Sequence, residues 1–243
     1  MYLVKKVGLC LAVGCLIAAV VLGVTWLACL NEVRETTAND VSRWHLREIA
    51  HAIHSYHAAY KKLPPAVVRD KDGKPLYSWR VAILPFVEEE PLYRRFKLEE
   101  PWDSPHNKEL LRQIPAVYWN PRSDAGDGTT CYQVIVGPGT AFERDRLTFH
   151  DFPDGLSDTL LVVEAAPVPW TKPVDLEYDP NGPLPALGAG GTMPEKLLCW
   201  DVGARPIAVV SMADGSTPYL RTPVEEKTLR ALITRNGGEN VDP

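Results

Sequence analysis

The sequence lacks several features that would assign it to a common functional class. It has no long basic block, and its formal net charge is −5 at neutral pH. Proteins that bind nucleic acid ordinarily carry a basic patch, so we expect no nucleic-acid partner. The H-E-x-x-H motif of zinc peptidases and the G-x-S-x-G turn of serine hydrolases are missing. No internal repeat is present either, which argues against a repeat architecture.

Charge is also missing from the N-terminal segment between Val7 and Leu30. As a helix this segment would be about 36 Å long, which exceeds the roughly 30 Å of a bilayer's hydrocarbon core. Lys5 and Lys6 precede it, whereas acidic residues beginning with Glu32 follow it, and positive residues favour the cytoplasmic side. We therefore predict a cytoplasmic N-terminus (1–6), a single transmembrane helix in the cytoplasmic membrane (7–30) and a domain outside that membrane, in the periplasm or cell envelope (31–243).

Two processed forms of this segment are alternatives to an anchor. A cleaved signal peptide usually has a shorter apolar core and an A-x-A-like site, and no good site of that kind is present. A lipoprotein would be cut before Cys29 and lipidated there, but Trp26 occupies the position where the usual pattern has leucine. The sequence favours the uncleaved anchor, with membrane lipid as the partner of the helix.

Only two cysteines lie outside this segment, Cys131 and Cys199. An exported domain can oxidise such a pair to a disulfide. The sequence does not fix their distance in space, so a Cys131–Cys199 disulfide and two separate thiols both stay open.

Beyond the apolar segment, apolar residues recur at steps of three and four from Leu46 to Tyr60, which predicts an amphipathic helix. Asn39 or Asp40 is its expected N-cap after a short polar joint, and the Leu-Pro-Pro sequence at 63–65 should end it. Ser104 before Pro105 predicts a further short helix with a serine cap.

The rest of the chain is rich in strand and turn signals. The best strands are residues 132–137, 159–164, 207–213 and 217–220, and the last two flank a hairpin turn at Asp214-Gly215. We expect a long loop between Pro167 and Pro194, and a C-terminal helix capped by Thr222 and stopped by Gly237. The predicted fold is α+β: a transmembrane helix continues into an amphipathic helix that packs on a mostly antiparallel sheet, with loop-rich insertions.

Three aspartates in the stretch DFPDGLSDTLLVVE suggest either a metal site or a turn. Asp151, Asp154 and Asp158 do not follow the alternating spacing of a calcium-binding loop. Asp154-Gly155 is a good tight turn, and the apolar run after it is typical of a buried strand. We favour the turn and keep calcium bound by these carboxylates as the alternative. No cofactor is expected.

Two other sets of residues are candidates for a site. His51, His54 and His57 are spaced by threes on the predicted helix, but each step turns the helix face by about 60° from alignment, so packing against the sheet is favoured over zinc binding. Trp102, Asp103 and His106 are candidates for an interaction loop, against the alternative that Trp102 fills the core and Asp103 and Ser104 cap the next helix.

Several segments together resemble one family, the domain of unknown function 1559 that is expanded in planctomycetes. They are HSYHAAYKKLPPA, SWRVAILPFVEEEPLYRRF, PWDSPHNKELL, DGLSDTLLVVEA and VSMADGSTPYL, within roughly residues 38–240. The resemblance implies a fold similar to type IV pilins and type II secretion pseudopilins. The chain departs from that pattern at Val13, where relatives carry glutamate, and at Asn120, where relatives often carry cysteine.

The sequence therefore predicts a non-enzymatic, single-pass membrane protein with a pilin-like domain at the cell envelope. Its expected partners are membrane lipid and either copies of itself through lateral association or another envelope protein. A monomeric anchored module that binds sugar, peptide or calcium is the main alternative. An anchored hydrolase is the third, but no nucleophile–base pair or metal triad supports it.

Overall fold

The computed structural model describes residues 2–121, 128–197 and 200–238, with side chains described from Leu16 onward except between 193 and 204. Internal contacts divide the chain into two units, residues 1–37 and residues 38–243. We call the second unit the head.

A single helix, α1, spans Tyr2–Tyr60 and contributes to both units. The expected N-cap at Asn39 or Asp40 is wrong, because both residues lie inside this helix. No proline or glycine interrupts residues 24–60, so nothing in the polar joint breaks the backbone hydrogen bonds. Asn39 is buried instead, and its Nδ2 donates to the carbonyl of Thr192 at 2.9 Å.

Within the first unit, every described side chain from Leu16 to Leu30 is exposed. Among the described residues, α1 is the one helix whose length and composition would let it cross a membrane. A helix that is apolar on all sides is not suited to water and belongs in lipid or in a helix bundle.

Within the head, one face of α1 is fully buried. Leu46, Ile49 and Ile53 have no exposed surface, and they pack into the main core of the head. The helix ends at Tyr60, where Lys61 adopts a left-handed conformation with φ of 57° before the two prolines. The predicted end at Leu-Pro-Pro is therefore confirmed.

The head contains nine strands and four further helices among its described residues. The strands are β1 (Val67–Arg69), β2 (Pro75–Ser78), β3 (Thr129–Gln133), β4 (Ile135–Val136), β5 (Leu160–Pro169), β6 (Leu176–Glu177), β7 (Gly191–Leu197), β8 (Trp200–Met212) and β9 (Tyr219–Arg221). The helices are α2 (Trp79–Ala82), α3 (Glu90–Tyr93), α4 (Pro105–Leu110) and α5 (Glu226–Ile233). Three short 3₁₀ turns complete the described elements.

The central sheet is antiparallel, with strand order β3-β5-β8-β7 and with β9 paired to β8. Alternate residues of its central strands enter different cores. Val162 and Val209 belong to the core beneath α1, whereas Val163 and Val210 belong to a second core with α5. The α+β fold, with a long apolar helix continuing into a helix that packs on an antiparallel sheet, is thus confirmed.

Several boundaries differ from the prediction. The expected strand at 132–137 is split, because the chain leaves the central sheet after Gln133 and β4 pairs with β6 in parallel. The expected loop from Pro167 to Pro194 includes the end of β5, all of β6 and the start of β7, so strand pairing overrides its proline and glycine content.

The C-terminal helix also differs at both ends. Helix α5 begins after Glu225, without a side-chain cap, so the cap predicted at Thr222 is wrong. It ends at Ile233 rather than near Gly237, because Thr234 turns to an extended conformation and pairs with Thr140.

Candidate functional site

A buried carboxylate joins α1 to the sheet. Glu164 of β5 has no exposed surface, and its Oε1 accepts hydrogen bonds from Ser42 Oγ and from Asn120 Nδ2, the latter at 2.8 Å. Its Oε2 accepts from the backbone nitrogen of Val209 at 3.0 Å. Because a buried carboxylate is costly unless it is hydrogen-bonded, these contacts fix the position of α1 on β5 and β8.

Tyr132 and His45 extend this cluster to the edge of the head. The hydroxyl of Tyr132 lies 3.1 Å from Ser42 Oγ and 3.4 Å from His45 Nδ1. His45 Nδ1 donates to the carbonyl of Trp119 at 2.9 Å. Burial lowers the pKa of His45 below its usual value of 6.5, and the bond to Trp119 opposes that shift.

Serine, histidine and glutamate are also the residue types of a hydrolase's catalytic triad, so we compared the hydrogen bonds of this cluster with those of a triad. In a triad the histidine takes the proton of the serine and is oriented by the carboxylate. Here Ser42 donates directly to Glu164, and the Nδ1 atom of His45 is bonded to a backbone carbonyl. Ser42 and Glu164 are both fully buried. The arrangement is that of a packing cluster that joins helix to sheet.

A buried ion pair forms a second polar cluster. Arg80 Nη2 lies 2.6 Å from Asp175 Oδ1, and the two side chains are 0% and 2% exposed. The same oxygen accepts from Trp79 Nε1 at 3.2 Å and from the backbone of Val134 at 3.0 Å. Burial raises the pKa of Asp175, whereas the charge of Arg80 lowers it.

The two clusters meet at Tyr132. Arg80 Nε donates to the carbonyl of Tyr132 at 2.9 Å, while the hydroxyl of that residue contacts Ser42. Tyr118 also donates from its hydroxyl to the carbonyl of Arg80 at 2.8 Å. Strand β3 is therefore held in place through both the backbone carbonyl and the side-chain hydroxyl of Tyr132.

The aspartates of the DFPDGLSDTLLVVE stretch bind separate local partners. Asp151 Oδ2 accepts from Thr148 N at 2.8 Å and from Thr148 Oγ1 at 2.9 Å, and these bonds lower the pKa of Asp151. Asp154 accepts from Gly238 N at 3.2 Å, and Asp158 accepts from Ser157 Oγ at 3.3 Å. In the described part of the chain, no three His, Cys, Asp or Glu residues are grouped so as to hold a metal.

The turn interpretation of that stretch fits the backbone. Gly155 has φ of +104°, a conformation that other residues rarely adopt. β5 begins five residues later at Leu160 and is buried through Ala165. The stretch is a turn that leads into a buried strand.

The three spaced histidines do not converge on one site. His54 Nε2 donates to the carbonyl of Ala213 at 2.9 Å, and its ring stacks on Phe149 at 4.2 Å. His57 contacts the same phenyl ring edge-on at 4.9 Å. His51 is exposed. The first two lie where α1 packs on the rest of the head, as their helical spacing predicted.

The candidate interaction loop is organised by a residue that the sequence did not single out. Asn107 is fully buried, and its side chain bonds to the backbone of Lys97, Glu100 and Pro101 at 3.0–3.2 Å. Ser104 caps α4 through the nitrogen of Asn107, as predicted. The asparagine side chain therefore fixes the shape of the loop from 97 to 104.

The three residues proposed for that loop have different surroundings. Trp102 is partly buried and packs against the main core, with Lys172 Nζ 5.8 Å from its ring. His106 Nε2 donates to the carbonyl of Arg95 at 2.8 Å. Asp103 is exposed. Of the three, Asp103 is the most open to a partner.

The cysteine pair is described only in part. Cys131 is buried in β3, and Cys199 lies outside the described residues, so their disulfide stays a prediction.

The other residues singled out from the sequence lie on the apolar half of α1, where Cys29 is exposed. Of the two residues that bound the predicted anchor, Leu30 is 49% exposed, and the side chain of Val7 lies outside the described part.

Comparison with known proteins gives one match. Residues 41–134 match the model of a family described as "Protein of unknown function (DUF1559)". No curated protein and no solved structure matches the chain. The matched segment contains Ser42, His45, Arg80, Asn120 and Tyr132, which belong to the two buried clusters. Over this segment the chain is similar to the domain of unknown function 1559 family, which supports the resemblance that its sequence motifs indicated.

Proposed function

We propose that the protein is a non-enzymatic, single-pass membrane protein that displays a pilin-like head outside the cytoplasmic membrane and associates laterally with copies of itself. One observation carries the proposal. The described half of the uncharged segment, Leu16 to Leu30, is helical and exposed on every side, with Leu22 and Trp26 each 68% exposed. Such a surface needs lipid or other helices around it.

The topology follows from charge. Lys5 and Lys6 precede the apolar segment, and the charges that follow it begin with an acid. The positive-inside bias thus favours a cytoplasmic N-terminus and an external head. The long helix that continues into the head and packs on an antiparallel sheet supports the pilin-like description.

A non-enzymatic role is supported by the buried polar clusters. Ser42 donates to Glu164 in one cluster, and Arg80 binds Asp175 and the carbonyl of Tyr132 in the other, so these fully buried groups are engaged in packing contacts. An envelope protein as the lateral partner, in place of a second copy, is the other outcome of the test below.

Glycine 23 offers a direct test of lateral association. A Cβ at Gly23 would meet no atom within 4 Å, so Gly23→Leu should leave the fold of a single chain unchanged. If α1 packs closely against copies at its small residues, the added side chain should weaken energy transfer between donor- and acceptor-labelled full-length chains in phosphatidylcholine vesicles. Val20→Leu, on the same apolar half, is the matched control and should change little.

Absence of concentration-dependent energy transfer for the natural chain would overturn self-association. Photo-crosslinking from Val13 in the native host gives the second readout. A ladder of self-adducts supports lateral assembly, whereas a single foreign adduct favours an envelope protein partner.

A cleft in the head favours a second candidate function, a binding module for peptides. It has a volume of about 340 Å³ and is lined mainly by apolar residues: Leu184, Pro185, Leu187, Pro223, Val224 and Leu229. This volume is at the lower end of the range for ligand pockets. Arg230, which follows Leu229 in α5, donates to the carbonyls of Pro180 and Gly182, just before the segment that contributes Leu184. A rise in the melting temperature of the head with apolar peptides would support this function; no shift with any of them would count against it.

A further inference from the structure

Basic side chains from two segments of the head lie together where α1 ends. The backbone nitrogen of Leu63, just after the helix, donates to the carbonyl of Leu147 at 2.7 Å. This bond holds the loop 143–150 beside the end of the helix. Each segment contributes three basic residues, and we call the set the basic patch: His57, Lys61, Lys62, Arg144, Arg146 and His150.

The electrostatics of His57 show that the two segments face each other. Burial lowers the pKa of this histidine, and so do the positive groups of His54, His150 and Lys61. Phe149, which precedes His150 in the loop, contacts the rings of both His54 and His57. Positive groups from the helix and from the loop are therefore close enough to repel one another.

The charges of the basic patch are unpaired. Within the part of the chain that the structure describes, none of its six side chains forms an ion pair or a hydrogen bond. Elsewhere on the surface, Arg94, Lys97 and Arg230 are each paired with a glutamate. Of the two acids in the loop, Glu143 binds Arg235, so basic groups are in excess in the patch.

Helix stability explains only part of this arrangement. Cations in the last turn of a helix interact favourably with its dipole, which accounts for His57 and Lys61. The dipole does not account for Arg144 and Arg146, because they belong to the loop. Lys61 and Arg146 also share a left-handed backbone, with φ of 57° and 72°, and residues held in this conformation are concentrated at functional sites.

The surroundings of the patch indicate what kind of anion it suits. The planar guanidinium groups of Arg144 and Arg146 are exposed and can bind the oxygens of an acidic group in pairs. Tyr60, directly before Lys61, is 56% exposed, and its ring can pack against the apolar C–H face of a sugar. Because the whole chain has a net charge of −5, a polyanion should bind only at such a local excess of positive charge.

We propose that the basic patch binds an acidic polysaccharide, with Arg144 and Arg146 on its carboxylate or sulfate groups and Tyr60 against a sugar ring. This inference rests on the proposed function, because a head outside the cytoplasmic membrane would meet polymers of the cell envelope. Since the cations are exposed, binding should weaken as the salt concentration rises.

Fluorescently labelled dextran sulfate tests the patch on the full-length chain in a non-ionic detergent, with uncharged dextran as the matched control polymer. Lys61→Asn and Arg146→Asn remove charge, and asparagine tolerates the left-handed backbone. Each should weaken the binding of dextran sulfate about two- to fivefold, as expected for one exposed ion pair. Equal binding of dextran and dextran sulfate by the natural chain would overturn the proposal.

Control variants remove the same charges at other exposed positions. Lys108→Gln on α4 and Arg112→Gln just after it should leave the affinity for dextran sulfate unchanged. An equal loss in the control and patch variants would overturn the proposal, because only the net charge of the chain would then matter.

Two further measurements test the sugar itself. Tyr60→Ser should weaken binding of dextran sulfate without changing its salt dependence, since no charge is removed; unchanged affinity would overturn the contact with a sugar ring. Tighter binding of double-stranded DNA or of phosphatidylglycerol vesicles than of dextran sulfate would overturn the choice of a polysaccharide.

The outcomes separate this inference from the proposed function. Binding that depends on the patch, in chains that do not associate in vesicles, would support the patch and overturn lateral association alone. Chains that associate in vesicles but do not bind dextran sulfate would overturn the patch alone.

Discussion

The two halves of α1 differ in what surrounds their side chains. Between Leu16 and Leu30 every side chain is exposed and none is charged. Between Ala38 and Tyr60 the faces are distinct: Leu46, Ile49 and Ile53 are fully buried, whereas Trp44 and Arg47 face solvent. One backbone conformation therefore serves two environments, and the side-chain pattern alone distinguishes the half suited to lipid from the half suited to water and a protein core.

The halves also differ in how they use polar groups. Among the described side chains from Leu16 to Leu30, Thr25 donates a local hydrogen bond back to the carbonyl of Leu22. The half in the head depends on buried polar contacts with residues far away in the chain, above all Ser42 with Glu164. Substitutions should therefore affect insertion and head stability separately.

The largest expected effect is on the head, from loss of the buried ion pair. Asp175→Ala leaves Arg80 charged and unpaired in the core. Removing one partner of a buried pair costs about 3–5 kcal/mol, which should lower the free energy of unfolding of the full chain in detergent by that amount. Membrane insertion should not change.

Asp103→Ala is the matched control for this variant. It removes the same side chain from an exposed position, and exposed substitutions usually stay within about 0.5 kcal/mol. A similar loss for both variants would show that the ion pair is not what stabilises the head.

A charge in the apolar half of α1 should impair membrane insertion and leave the stability of the head unchanged. Leu22→Arg places a guanidinium near the middle of the predicted span, at a cost of about 2.5–3.5 kcal/mol for insertion. The chain should become extractable from membranes at alkaline pH, while thermal unfolding of the head stays the same. Val33→Arg, which lies beyond the span, is the control. Equal extraction of both variants would contradict the assigned span.

Local features of the head could be predicted from sequence because neighbouring residues decide them. Ser104 caps α4 and Asp214-Gly215 turns β8 into β9, as their residue types indicated. The end of α1 at the two prolines has the same origin. In each case the residues that determine the structure are within a few positions of it.

The features that the sequence did not predict depend on residues that are far apart in the chain. Asn39 matched the pattern of an N-cap, yet its side chain binds Thr192, 153 residues away. The partners of Glu164 and Asp175 are also distant: Ser42 lies 122 positions from Glu164, and Arg80 lies 95 positions from Asp175. A sequence shows that Glu164 ends an apolar run, but only the fold shows which donors reach it.

The smallest expected effect is on the pH dependence of the head. Burial lowers the pKa of His45 below 6.5 in the folded state, so the unfolded chain binds the proton more readily. The stabilising contribution is therefore fully present above about pH 6.5 and decreases as the pH falls through the range below that value. His45→Asn keeps a donor for the carbonyl of Trp119 and removes the titration of His45, so the melting temperature should fall less between about pH 7.5 and 5.5 than in the natural chain.

Because burial also lowers the pKa of His57, part of the pH dependence of the melting temperature should remain in this variant. A His45→Asn slope equal to that of the natural chain would mean that the polar cluster around Glu164 is insensitive to the charge of His45.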